Sequence, residues 1–232
     1  MVASMELPST MFASTTCPKF VLSLASVLGF ICTAGADIPW KEVRQRVTQE
    51  NEILSKRPGG RAGTYFVVCT VYYTPKESGF TAERGFDVTP VAASGLKGRK
   101  FGRDFLAAVK LEGFGRVNEP LKGLHYIRYQ GRGRYSFAQQ PLGRGTTVLM
   151  PRQSAAVRGQ KFLKPGQVVE IEDPEIRKIF GSTEWVIADT GGGLRRWQLD
   201  LYWGEDEPLG PDCLARPRGT TFEYGYAEAK VK

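Results

Sequence analysis

The chain has 232 residues, with 32 lysines and arginines against 24 aspartates and glutamates, and carries a formal net charge of +8. A basic protein suits an anionic partner, such as a cell-wall polymer or a membrane surface. Nucleic acid is disfavoured as that partner, because the basic residues are scattered and no nucleic-acid-binding motif is present.

The beginning of the chain predicts export. Residues 20–31 are uncharged and apolar, follow Lys19 and precede an Ala-Gly-Ala site at 34–36, which is the pattern of a secretory signal peptide. The apolar run is too short to span a bilayer, and a buried N-terminal helix is the alternative. We therefore expect export to remove residues 1–36. The mature protein would have no transmembrane span and would lie in the periplasm or outer cell envelope.

The rest of the chain predicts one domain, made mainly of β-strands. Residues 37–63 predict a short N-terminal helix with helical apolar spacing, followed by a linker rich in proline and glycine. Residues 64–232 contain short strands between Gly/Pro turns, which is typical of a small β-barrel, and one short helical stretch at 174–180. The predicted strands cover residues 65–73, 105–115, 125–131, 146–151, 167–173, 184–189 and 197–203.

Two cysteines remain in the predicted mature chain, Cys69 and Cys213. An oxidising compartment would permit a disulfide bridge between them. Two buried free thiols are an equally good interpretation.

An aspartate interrupts the apolar pattern of the last predicted strand. Alternation within residues 197–203 puts Gln198, Asp200 and Tyr202 on one face and the remaining, apolar residues on the other. A carboxylate between Gln and Tyr predicts the floor of a polar cleft. Nearby aromatic surface would raise its pKa, as a general acid requires. A strand with one solvated polar face is the plainer alternative.

A second aspartate, Asp189, ends an apolar strand just before Thr190 and a three-glycine turn. Aspartate in that position commonly caps its own backbone. Asp-Thr-Gly also resembles aspartic proteases, but there is one copy and Gly192 stands where Ser, Thr or Ala is expected, so this interpretation is disfavoured. His125 is the only histidine and no carboxylates have ligand spacing, so we predict no metal and no cofactor.

These motifs resemble a known family when taken together. Asp-Thr-Gly-Gly-Gly-Leu at 189–194 and Asp-Leu-Tyr-Trp-Gly at 200–204 are similar to the signature of the three-aspartate (3D) domain. That domain is the catalytic barrel of the membrane-bound lytic transglycosylase A family. Segments 71–80, 111–116 and 140–151 are similar to its upstream motifs, in the expected order.

The resemblance implies a six-stranded double-psi β-barrel whose cleft binds a peptidoglycan glycan strand. It places the single acid/base at Asp200 and a supporting carboxylate at Asp189. The family's first aspartate should precede the proline-leucine-glycine segment, but residues 138–140 read Ala-Gln-Gln. The chain is also too short to carry the full second domain of the long transglycosylases.

One well-placed acid suits lytic cleavage better than hydrolysis, which needs a second group to activate water. In lytic cleavage the sugar's own 6-hydroxyl attacks, so the predicted role is an exported enzyme of peptidoglycan turnover. A binding module that holds glycan or a partner on the same barrel is the competing class. The candidate substrate-binding residues, each of which could instead be ordinary packing, are Thr70, Tyr72, Tyr73, Thr74, Gly113, Gly191, Gly192, Gln198 and Tyr202.

Overall fold

The helices and strands surround a closed six-stranded barrel. The structure is a computed structural model and describes residues 38–57, 63–80, 90–159, 162–205 and 224–232. Within these ranges, no helix is both long and apolar enough to cross a membrane. In chain order the elements are α1 (Trp40–Lys56), β1 (Thr64–Tyr72), β2 (Val91–Ala92), β3 (Lys100–Phe101), α2 (Arg103–Glu112), β4 (Phe114–Leu121), β5 (Leu124–Gly131), β6 (Arg134–Ala138), β7 (Ser154–Val157), β8 (Val168–Ile171), α3 (Pro174–Phe180), β9 (Glu184–Thr190), β10 (Gln198–Tyr202) and β11 (Gly225–Val231).

The barrel is closed in the order β1-β10-β7-β9-β8-β11. Two of its pairs are parallel, β1 with β10 and β7 with β9. Alternate residues of each strand point inward and bury an apolar interior, for example Val67, Cys69 and Val71 of β1. This confirms the prediction of a mainly β protein built on a barrel. The double-psi connectivity stays a prediction.

Helix α1 covers the outer face of β1, as expected for an N-terminal helix with one apolar stripe. Its buried side chains Val43 and Val47 pack in the same cluster as Val68 of β1. The Asn51 amide donates to the carbonyl oxygen of Phe66 at 2.7 Å and accepts from its N–H at 3.0 Å. These two hydrogen bonds hold the helix on the strand.

A three-stranded antiparallel sheet, β4-β5-β6, lies beside the barrel with α2 and has its own apolar cluster. It contacts the barrel just beyond the C-terminal ends of β1 and β10. The N–H of Arg116 donates to the carbonyl oxygen of Pro75 at 2.8 Å, and the Arg116 guanidinium forms an ion pair with Glu205. This sheet therefore provides a second wall next to the ends of β1 and β10.

Two predicted strands were wrong. Residues 105–115 are mostly helix α2, in which Phe105, Leu106 and Val109 are buried at helical spacing against the three-stranded sheet. Residues 146–151 form no strand and make only a single bridge, from Val148 to Leu142. The other five predicted strands and the helix at 174–180 are confirmed. The sequence analysis missed β2, β3, β6, β7, β11 and all but the first two residues of β4.

Two predictions fall wholly or partly outside the described residues. The signal peptide, residues 1–36, and its cleavage site lie there, and so does Cys213. Cys69 is described as a buried free thiol in the barrel interior. Burial raises the pKa of that thiol well above its usual range, so it stays protonated at neutral pH.

Candidate active site

Two aspartates lie in one row across the barrel wall. Cross-strand pairing in parallel and antiparallel register aligns Thr70 with Asp200, Asp200 with Ala156, and Ala156 with Asp189. Residues paired in this way face the same side of a sheet. The neighbours of Asp200, Leu199 and Leu201, point into the barrel interior. The row therefore lies on the outer face of the wall, opposite the face to which Leu199 and Leu201 belong.

A β-bulge brings Asp189 into this row. Ala155 pairs with Ile187, but the next residue, Ala156, pairs with Asp189, so Ala188 is an extra residue on β9. A bulge re-aims the side chain that follows it. Only Ala156 stands between the two aspartates in the row, and two strand spacings put their Cα atoms roughly 10 Å apart.

A directional chain of hydrogen bonds ends on Asp200. The N–H of Arg195 donates to Oε1 of Gln198 at 2.7 Å, and Nε2 of Gln198 donates to Oγ1 of Thr70 at 2.9 Å. Thr70 then donates its hydroxyl proton to Oδ1 of Asp200. Because Thr70 and Gln198 are both buried, they fix the position of the carboxyl group. In this structure Thr70 contacts Asp200 directly and Gln198 holds Thr70, so both are part of the packed support of the carboxyl group rather than of an open surface.

The two carboxyl groups have different electrostatic surroundings. Burial raises the pKa of Asp200 to about 7, the Thr70 hydroxyl opposes this rise, and the negative charge of Asp189 adds to it. Burial also raises the pKa of Asp189, but the N–H of Thr190, which donates at 2.7 Å, and the charge of Arg128 oppose the rise. A carboxyl group with a pKa near 7 suits general acid–base chemistry at neutral pH.

Two tyrosines stand beside the aspartate row. Tyr72 and Tyr202 are paired across β1 and β10, and their ring centroids are 5.0 Å apart. The hydroxyl of Tyr202 shares a 2.7 Å hydrogen bond with Thr74. The buried hydroxyl of Tyr72 makes no hydrogen bond within the described part of the chain. Burial and the charges of Asp189 and Asp200 raise the pKa of Tyr72, so it keeps its proton as a donor.

The three-stranded sheet contributes polar groups that the sequence analysis missed. Tyr126 of β5 donates its hydroxyl proton to Glu205, which also pairs with Arg116, and burial raises the pKa of Tyr126 to about 12. Arg128, two residues further along β5, acts electrostatically on Asp189. The available signal was alternation in β5, where Tyr126 and Arg128 share a face opposite buried Ile127.

The remaining candidate residues are placed as follows. Gly191 directly follows the Asp189 strand, and its N–H donates to the carbonyl oxygen of Val157 at 3.0 Å, while Gly192 is exposed in the turn. Tyr73 packs in the barrel interior, on the face opposite the row. Gly113 ends α2 with φ +90°, a conformation that favours glycine. The structure thus does not bring Tyr73 to the aspartate row, and it gives Gly113 a helix-ending role.

Among the described residues, no group of three or more His, Cys, Asp or Glu side chains could hold a metal ion. His125 lies exposed on β5. The polar groups at the row are its two carboxyl groups, their hydroxyl neighbours and the nearby Arg128.

No protein-family model matches the sequence, and no curated protein matches it. Solved structures to which the chain is similar include a membrane-bound lytic murein transglycosylase from Agrobacterium tumefaciens, at 12% identity and a TM-score of 0.47, over 73% of this chain and 76% of that one. E. coli MltA with bound chitohexaose is similar at 14% identity and a TM-score of 0.46, over 75% and 73%. Another E. coli MltA structure has 14% identity, a TM-score of 0.45 and 85% coverage of both chains. The Agrobacterium protein is a lytic murein transglycosylase, and the second E. coli structure is described as having a lytic transglycosylase fold.

Proposed function

We propose that this protein cleaves glycosidic bonds of peptidoglycan glycan strands by lytic transglycosylation. The observation that carries the proposal is Asp200. Its carboxyl group is partly buried on the outer barrel face, is fixed by Thr70 and has a pKa raised to about 7. It is therefore both protonated and ionised to useful extents near neutral pH, as one group that acts first as acid and then as base must be.

The reaction needs no second catalytic carboxylate and consumes no water. Protonated Asp200 donates its proton to the glycosidic oxygen as the bond from that oxygen to the anomeric carbon breaks. The 6-hydroxyl of the same sugar attacks the anomeric carbon, forms the new C–O bond and gives its proton to the Asp200 carboxylate. The products are a shortened strand and an anhydro sugar end, and Asp200 is protonated again.

Asp189 has a supporting role in this proposal. Its negative charge helps to keep the pKa of Asp200 high, and Arg128 and the N–H of Thr190 favour its own ionised form. An ionised carboxylate on the substrate side of the row also stabilises positive charge that develops on the sugar ring in the transition state. The two aspartates thus divide the roles of acid and electrostatic support.

A binding module remains the second candidate, because residues 138–140 read Ala-Gln-Gln where the resembled family has an aspartate. Incubation of the purified protein with peptidoglycan, followed by mass spectrometry, separates the two functions. Anhydro-muropeptides are expected from the enzyme. Tight retention on peptidoglycan without any such product would establish the binding module instead.

Export is part of the same proposal, since the substrate lies outside the cytoplasm. We propose that residues 1–36 are removed and that the mature protein works in the periplasm or outer cell envelope. N-terminal sequencing of the protein recovered from the envelope should begin at or near Asp37. An intact N-terminus on active protein would contradict the cleavage.

Thr70→Val tests the chain of hydrogen bonds that ends on Asp200. Valine keeps the shape but removes the hydroxyl proton that stabilises ionised Asp200, so the alkaline limb of the pH–rate profile should move up by about one unit. The free energy of unfolding should fall by about 1–3 kcal/mol, because buried Nε2 of Gln198 loses its acceptor. Thr70→Ser, the control, should keep the wild-type profile. An unshifted profile in Thr70→Val would show that Thr70 does not tune Asp200.

Tyr72→Phe tests the phenol beside the row that has no hydrogen-bond partner among the described residues. Loss of that buried hydroxyl should leave the free energy of unfolding unchanged or raise it by about 1 kcal/mol. Activity should nevertheless fall by about tenfold, because substrate loses a hydrogen-bond donor. In the matched control, Tyr202→Phe, the bond to Thr74 is lost and the protein should be destabilised by about 1 kcal/mol. Full activity in Tyr72→Phe would exclude a contact with substrate.

A further inference from the structure

A second concave site lies between α1 and the barrel, away from the three-stranded sheet. It is a groove of about 1160 Å³ bounded by α1, the first residues of β1 and the loop that precedes β10. This volume is somewhat larger than the roughly 300–1,000 Å³ of ordinary small-ligand sites on proteins. None of the groups proposed above to act on the glycosidic bond lines it.

The charge of the groove is strongly one-sided. Among the described residues, its charged lining consists of one acid, Glu52, and five basic residues. All five basic residues are exposed, and none forms an ion pair with a described carboxylate. They come from three separate segments of the chain, so the fold gathers them: Lys41, Arg44, Arg158, Arg195 and Arg196. A concave surface lined by one sign of charge concentrates ligands of the opposite sign.

Aromatic rings stand among these basic residues. Trp40, Tyr65 and Trp197 line the groove, with the guanidinium of Arg195 5.5 Å from the ring centre of Trp40 and that of Arg196 5.6 Å from the ring centre of Trp197. Stacked arginines keep their hydrogen-bond donors directed outward in a fixed orientation. Trp197 also has φ +62°, a left-handed backbone conformation that is uncommon for a bulky side chain. Backbone strain of this kind is found preferentially at ligand sites.

The groove is continuous with the aspartate row. The N–H of Arg195 binds Gln198, the second link of the chain that ends on Asp200. Trp197 directly precedes β10 and lies three residues before Asp200, so the Cα atoms of the two residues are at most roughly 10 Å apart. A single polymer can therefore lie in the groove and reach Asp200, whereas a small ligand would occupy only one of the two.

We propose that this groove binds a carboxylate-bearing stretch of the same wall polymer whose glycan strand is cleaved at Asp200. The inference rests on the proposed function for the identity of the polymer. Arginine forks match carboxylates in a bidentate way, and the aromatic rings offer apolar faces to sugars. A concave groove fits a chain better than it fits the flat surface of an anionic membrane.

Binding is measured in the Asp200→Asn background, so that no strand is cut during the assay. The Asp200→Asn protein, which is the parent in this assay, and its groove variants are each sedimented with peptidoglycan. The peptidoglycan is either native or has its carboxyl groups converted to neutral amides. The groove variants are Lys41→Glu/Arg44→Glu on the exposed face of α1 and, independently, Arg158→Glu. The matched control is Lys110→Glu/Lys178→Glu, which makes the same change of charge on exposed helical positions outside the groove.

We expect both groove variants to bind native peptidoglycan at least about tenfold more weakly than the parent protein, which has an unchanged groove. The control should bind it within about twofold of the parent's affinity. Neutralised peptidoglycan should bind weakly to the parent, and added salt should weaken the native complex. Equal affinity of the parent and the groove variants, or equal binding of native and neutralised polymer, would overturn the proposal. So would groove-dependent binding of oligo(dT) or phosphatidylglycerol vesicles without groove-dependent binding of peptidoglycan.

Short neutral chitooligosaccharides keep the two proposals distinguishable, because they lack the carboxylates. A groove variant that carries Asp200 should cleave them at the wild-type rate. If the wild type cleaves these substrates but the groove substitutions do not change its affinity for peptidoglycan, the proposed groove is wrong and the proposed reaction stands. If the groove substitutions weaken peptidoglycan binding but no substrate yields anhydro products, the proposed reaction is wrong and the groove stands as a binding site.

Discussion

Asp200→Asn should reduce glycan cleavage by about 10²–10⁴-fold, which is the usual contribution of general acid–base catalysis. Asparagine is nearly isosteric with aspartate and can still accept the hydroxyl proton of Thr70, so the barrel wall should keep its geometry. It cannot donate a proton to a glycosidic oxygen and recover it. The measurement is the rate of release of anhydro-muropeptides by the purified variant and by wild type at the same pH.

The same substitution should stabilise the protein above neutral pH. The pKa of Asp200 is raised from an ordinary value of 3.8 to about 7, so between these values the folded state binds a proton that the unfolded state has lost. The stabilisation from that proton is complete below about pH 4 and is lost as the pH rises through about 7. Urea unfolding at pH 8 should find Asp200→Asn more stable than wild type by about 1–3 kcal/mol, with a smaller difference at pH 5.

Asp189→Asn is the comparison variant for both the rate of cleavage and the pH dependence. It should cost less activity than Asp200→Asn, because Asp189 supports the acid and donates no proton. It should also lower the apparent pKa of Asp200, since it removes a nearby negative charge that raises it. A near wild-type rate of cleavage by Asp200→Asn would show that Asp200 is not the acid. A greater loss of activity in Asp189→Asn than in Asp200→Asn would reverse the roles assigned to the two aspartates.

Strand alternation predicted strand β10. Residues 198–202 alternate polar and apolar side chains without interruption, which is a strong signal of a strand, although all of them except Asp200 are buried. The position of Asp200 on the face opposite Leu199 and Leu201 follows from that signal alone. Its pairing with Thr70 does not, because the strands β1 and β10 are far apart in the chain and sequence alone does not specify their register.

The errors also have physical causes. Residues 105–109 are apolar throughout, and a short apolar run does not distinguish a buried strand from a buried helix, so α2 was taken for a strand. Strand β7, Ser154–Val157, was missed because two alanines in its centre give it little β-propensity. The small side chain of Ala156 is nevertheless what the site requires, since it lies between the two aspartates.

The wall formed by the three-stranded sheet was missed for a different reason. Alternation in β5 puts Tyr126 and Arg128 on one face, but it does not say what that face meets. The contacts of Tyr126 with Glu205 and of Arg128 with Asp189 are tertiary contacts between the sheet and the barrel. Such contacts become visible only when the two sheets are placed side by side.

Gly143→Ala should be the most damaging small substitution near the site. A Cβ atom on residue 143 would lie 2.2 Å from the carbonyl oxygen of Ala188 and 2.9 Å from its carbonyl carbon. Both atoms belong to the backbone of the bulge that directs Asp189, so no flexible side chain can move aside. The loop and the bulge must separate, which would break the 2.9 Å hydrogen bond from the N–H of Arg144 to Ala188.

We expect Gly143→Ala to lower the free energy of unfolding by about 2–4 kcal/mol and to reduce activity at least about tenfold, because Asp189 shifts with its bulge. The φ of Gly143 lies outside the left-handed region, so the loss would come from the close approach and not from backbone strain. Gly193→Ala is the matched control: this exposed glycine also has φ outside the left-handed region, and an added Cβ would meet no atom within 4 Å. The control should change stability by less than about 1 kcal/mol and keep its activity. Urea unfolding and the peptidoglycan assay on both variants test the prediction, and equal behaviour of the two alanine variants would contradict a tight contact between Gly143 and the Asp189 bulge.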